Sequence, residues 1–164
     1  MKKYYFFLML LGYSVAATAA EERFTEKQAE AAGFAATMNF FIGRVSSECR
    51  DILRKEEAFT KQTLNKWLEK NSPYVESAKV FIGQYQDHVT AKYGVEKGTE
   101  VFFKMIADIR TNGAASASNL LTGSKKKKKE NCEKFVNDVY TGKYDISSKT
   151  PNYEGLMQLV RLFK

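Results

Sequence analysis

The chain has 164 residues, 44% hydrophobic and 27% charged, enough for one globular domain with its own core. Its formal charge of +7 comes from 26 Lys plus Arg against 19 Asp plus Glu, and Lys2, Lys3 and the unbroken run Lys125–Lys129 account for the whole surplus. The rest of the chain is neutral, which excludes the broad cationic face of a nucleic-acid binder.

Residues 1–20 read MKKYYFFLMLLGYSVAATAA: a basic start, an apolar run from Tyr4 to about Val15, then small residues around Ala17-Thr18-Ala19. That is the layout of a secretory signal peptide, and the apolar part is shorter than the roughly 20 residues that span a bilayer. The reading is export to the periplasm with cleavage near Ala19 or Ala20, and secretion as the alternative. The chain has no Asn-x-Ser/Thr acceptor, which favours a bacterial periplasm. Residues 21–164 are then one helical domain.

Thr25 and Gln28 form a capping-box pattern, with Phe24 placed to staple onto the first turns. Ala31, Ala35, Met38, Ile42, Val45, Cys49 and Ile52 recur at alternating spacings of four and three, a sustained helical seam expected to end near Glu56 or Glu57. Thr60 is placed to cap a short helix carrying Leu64, Trp67 and Leu68, and Ser72-Pro73 predicts a stop and a new start. The next helix carries Val75, Ala78, Ile82, Tyr85 and Val89 and closes at Gly94. Thr99 opens another, with Phe102, Met105, Ile106 and Ile109, which Gly113 is expected to end. From Gly113 to Lys129 the Gly, Ala and Ser content predicts a mobile loop, with Leu120 and Leu121 and the five lysines at its tip. Cys132, Phe135, Val136, Val139 and Tyr140 form one face of a further helix, and Leu156, Leu159, Val160 and Phe163 mark a short terminal one. No stretch alternates long enough to support a sheet. The fold class is therefore all-α, an irregular bundle of five or six helices.

An oxidising compartment gives the two cysteines, Cys49 and Cys132, a plain role as an interhelical disulfide, since both lie on core-facing seams. They lack the spacing of a metal or redox site, so neither a metal nor a cofactor is expected. Trp67 is read as a core anchor between helices. His88 is the only histidine and has no acidic partner at helical spacing, so it reads as a surface residue. The acidic residues Glu56, Glu57, Glu130, Glu133 and Asp138 have the density of solvated helix faces, and no nucleophile elbow, phosphate loop, dinucleotide fingerprint or HExxH pair is present. Tyr74, Tyr93, Tyr144 and Tyr153 sit at helix ends or in loops, where tyrosines can face a partner.

These features favour a non-enzymatic binding protein over an enzyme. Cys49, Trp67 within WLEKN, and Cys132 within CEKFVNDVYTGKYD, taken with the leader and helix content, resemble in architecture the helical periplasmic immunity proteins of the type VI secretion amidase kind. The resemblance implies an inhibitor that occludes a cell-envelope enzyme or toxin, and it carries over no site residue. The partner expected is another protein, with weak contact to an anionic surface also open and no nucleic acid. Leu120, Leu121, Lys125, Lys126, Lys127, Lys128 and Lys129 are the candidate contact residues. A periplasmic chaperone or accessory subunit, which would expose a large apolar groove, is the alternative, and a small cell-wall or lipid hydrolase the third.

Overall fold

The computed structural model describes residues 24–163, and the leader read at residues 1–20 lies outside them. The described chain folds as five helices: α1 (Glu26–Ile52), α2 (Ala58–Tyr93), α3 (Val95–Leu120), α4 (Lys125–Tyr140) and α5 (Tyr153–Leu162), with no strand among the described residues. The three long helices pack on one another pairwise, while α4 and α5 each lie across both α1 and α2.

The capping box opens α1: the Gln28 N–H donates to Thr25 Oγ1 at 3.3 Å, and the Thr25 N–H donates to Gln28 Oε1 at 3.0 Å. The seam then buries Ala31, Ala35, Ile42, Val45 and Cys49, with Met38 and Ile52 half-buried along it. Phe24 packs across onto α2, its ring 5.6 Å from those of both Phe81 and Tyr85.

The expected end of α1 near Glu56 or Glu57 is corrected to Ile52. There the chain makes a left-handed turn: the Arg54 N–H donates to the Asp51 carbonyl and the Lys55 N–H to the Arg50 carbonyl at 2.9 Å. This is the Schellman pattern that satisfies the last carbonyls of a helix. The position that must be left-handed carries Arg54, φ 52°, so no glycine advertises the stop. The same motif ends α4, where Gly142 takes φ 77° and the Lys143 N–H donates to the Asp138 carbonyl at 2.8 Å.

The short helix and the one after Ser72-Pro73 are one helix. Pro73 lies inside α2 and cannot donate to the carbonyl of Glu69, but residue 69 is on the exposed side of the helix, where a free carbonyl costs little. Asn71 shows what holds this stretch. Its Nδ2 donates to the Trp67 carbonyl at 2.7 Å and to Asp145 Oδ1 at 3.1 Å, and its Oδ1 accepts the Ile146 N–H at 2.8 Å. Trp67, fully buried, donates from Nε1 to the Tyr144 carbonyl at 3.0 Å. The segment after α4 is thereby pinned to the middle of α2, and tertiary contacts override the local break.

The loop expected at 113–129 is also helix for most of its length. Gly113 is buried where a Cβ would come within 2.6 Å of the Phe40 ring and 3.3 Å of the Thr37 carbonyl, so it lets α3 approach α1 and does not end the helix. The alanines that follow have the highest helix propensity, and α3 runs on to Leu120. Only residues 121–124 connect it to α4. Thr99 does not open α3, which starts at Val95 directly after Gly94, φ 92°.

The core has two parts. One gathers Phe41, Ile42, Val45, Trp67, Leu121, Phe135 and Val139 around the Cys49–Cys132 disulfide, whose Cα atoms are 5.3 Å apart. The other gathers Ala31, Ala35, Ala78, Phe81, Ile109, Leu156 and Leu159, and Ile146 packs against both. The disulfide therefore ties α4 to the C-terminal half of α1, as the two seams led one to expect.

Candidate functional site

The lysine run forms the first five residues of α4. Ser124 caps it, its Oγ accepting the Lys127 N–H at 3.3 Å. Five cations in the first turns oppose the positive end of the helix dipole, so this helix is not held by its own charges. It is held by Cys132, Phe135 and Val139, all buried, and by the covalent tie to α1. The i,i+4 pairs from Lys126 to Glu130 and from Lys129 to Glu133 are long, at 4.0 and 3.8 Å, and exposed. Such pairs contribute little, about 0–1 kcal/mol at most, and leave the charge facing water.

Two clefts flank this end of the bundle. The first, about 680 Å³, lies between the end of α1 and the start of α4. Arg54, Lys125, Lys126, Lys128 and Lys129 line it with one carboxylate, Asp51, which is already held by Arg50 at 2.8 Å. The second, about 670 Å³, is formed by the α1–α2 turn and the outer face of α4, with Leu53, Phe59 and Val136 as its apolar lining and Lys55, Glu56, Gln62 and Glu133 at its polar part. Arg54 borders both.

The apolar pair is corrected. Leu121 is 5% exposed and belongs to the core, and Leu120 is half-buried against that core, its carbonyl accepting Asn131 Nδ2 at 2.6 Å. Neither forms a loop tip. The five lysines do face outward, with Lys125, Lys126, Lys127 and Lys129 exposed and Lys128 half-buried. The sequence does not single out Arg54, because it meets the start of α4, 71 positions away, only in the fold. The remaining signal in the sequence was only a cation after a helical seam.

Among the other groups, His88 is half-buried with its ring 5.0 Å from that of Phe24, so it is part of an aromatic cluster. Asp138 accepts from Lys134 and lies 3.4 Å from Lys143 Nζ, and these ammonium groups hold its carboxyl below the usual carboxylate range, the opposite of what a general acid needs. Glu154 is likewise lowered by Lys27. Burial raises the Tyr144 phenol, which packs between Phe41 and Phe135. Tyr74 and Tyr153 pack on each other, and of the four candidate tyrosines Tyr93 is the one that stays exposed. Among the described residues no group of three His, Cys, Asp or Glu side chains is placed to hold a metal ion. A third cleft, about 710 Å³, runs between α1 and α3 past Phe34, Tyr85, Val101, Met105 and Ile109.

Against known proteins, no family model, no curated protein and no solved structure matches this chain.

Proposed function

We propose that this chain is an exported, non-enzymatic binding protein of the inhibitor or immunity kind, which occludes an enzyme or toxin acting on the cell envelope. One observation carries the reading. The whole local excess of charge sits on a helix end that is covalently braced to α1, beside a concave surface, while the body around it is balanced. Charge fixed in position before binding raises association rate and selects partners, and a rigid frame loses little entropy on docking. The N-terminal leader and the bridged cysteines support a periplasmic location.

The test is to capture partners of the tagged protein from envelope extracts, identify any hydrolase among them, and assay its activity with and without the protein. Stoichiometric inhibition is expected. A captured enzyme that keeps full activity in the complex would sink the proposal.

A second reading, an envelope chaperone or accessory subunit, is favoured by the α1–α3 cleft together with exposed Phe103, Val95 and Tyr93. It predicts that the protein suppresses aggregation of unrelated unfolded proteins at substoichiometric amounts.

A further inference from the structure

Arg54 holds a conformation that L-residues other than Asn and Asp avoid, at φ 52°, in a motif where this same chain uses glycine at Gly142. A glycine at 54 would satisfy the same hydrogen bonds to Asp51 and Arg50 without a Cβ to strain. Arg54 borders two clefts. One side carries Lys125, Lys126, Lys128 and Lys129; among the described residues that line it the one carboxylate is Asp51, occupied by Arg50, and Glu130 and Glu133 reach Lys126 and Lys129 only at 4.0 and 3.8 Å. On the other side Leu53, Phe59 and Val136 form an apolar patch, edged by Lys55, Glu56, Gln62 and Glu133. Side-chain packing inside the protein does not account for Arg54, which is exposed.

We infer that these two clefts form one docking site for a protruding segment of a partner protein, in which acidic side chains precede or follow an apolar one. The carboxylates enter the lysine cleft, the apolar side chain enters the cleft at Phe59, and Arg54 sits at the centre with a bidentate contact to a carboxylate. Charge complementarity selects an anionic occupant. Concavity selects a protein segment over a lipid surface, because headgroups arrayed on a plane reach the rim of a cleft and not its floor, and the adjoining cleft, with its apolar patch and the carboxylates of Glu56 and Glu133, repels phosphate. Arginine at the centre of a partly desolvated surface is among the residue types that most often dominate binding energy. The inference rests on the reading of the chain as a protein-binding inhibitor and names the chemistry of its partner.

The experiment uses fluorescently labelled synthetic peptides with a run of carboxylates next to a pair of leucines. Controls replace the carboxylates by amides or the leucines by serines, and binding to the purified protein is read by anisotropy. Binding is expected for the parent peptide, weaker for both controls, and weakened further as salt rises and screens the cleft. Arg54→Gly is expected to lower affinity about tenfold while its Tm stays equal or rises. Arg54→Asn, which also tolerates the left-handed conformation, is expected to behave alike. Parent-peptide affinity unchanged in both variants overturns the proposal. So does equal binding of the amide control, or tighter binding to vesicles rich in anionic phospholipid than to the peptide with no loss in Arg54→Gly. If peptide binding fails while a captured hydrolase is still inhibited, the partner chemistry is wrong and the inhibitor reading stands. If the peptide binds at Arg54 and no hydrolase is inhibited, the reverse holds.

Discussion

Among the described residues Asp138 is the one buried carboxylate, and two lysines favour its ionised form. Its folded pKa lies below the ordinary 3.8, so near that pH the unfolded chain binds the proton more readily than the folded one. The stability it contributes is present above about pH 4 and is lost as pH falls through the folded pKa. The urea midpoint should therefore drop on acidification below pH 4, and Asp138→Asn should start lower at neutral pH and decline less. A variant with the same acid slope as the parent would remove Asp138 from the account. Partners this exposed screen the pair, so the effect is one share of the acid response and not the whole of it. Arg54 is the converse case at this scale, a residue whose cost is local and whose use lies outside its own turn. Trp67 was readable as an anchor, since a lone tryptophan on an apolar helix face has few other places to go. Asn71 was not: it directly precedes the Ser72-Pro73 stop signal, and two of its three hydrogen bonds go to groups that only the fold brings near.

Helix seams proved legible wherever the apolar spacing was sustained, as in α1, α4 and α5, because burying one face fixes both the period and the side that turns inward. Boundaries were less so, for reasons that differ from helix to helix. At Pro73 and Gly113 a breaker residue stands inside a helix, and in each case neighbours make up for what the residue lacks or use what it leaves out. Two of the helical glycines, Gly33 and Gly113, test that statement. A Cβ added at Gly33 would meet nothing within 4 Å, so Gly33→Ala should stabilise by about 0.5–1 kcal/mol through helix propensity alone. Gly113→Ala should instead destabilise by about 1–3 kcal/mol, since its Cβ would drive into Phe40 and the Thr37 carbonyl. Chemical denaturation of both variants is the check, and two variants of the same sign would show that Gly113 serves no close approach.

On the scale of the whole molecule, the disulfide joins positions 83 apart and sits fully buried between α1 and α4. Replacing both cysteines by alanine should cost roughly 4–5 kcal/mol in the chain-entropy model, and peptide binding at the cleft should weaken with it as α4 loses its brace. Mild reductant should leave the native protein bridged and cleave the bond only once it unfolds; rapid reduction without loss of structure would contradict its burial. Composition and periodicity alone determined that this is an all-α domain with its surplus charge in one place and its two cysteines on inward faces, because those follow from which residues must leave water. Tertiary structure decided that the lysines stand on a helix and not on a loop, that Leu121 is core, and that Arg54 belongs to the same surface. The last two depend on contacts between segments far apart in sequence, which leave no local trace; the helix under the lysines combines such contacts with a local cap at Ser124.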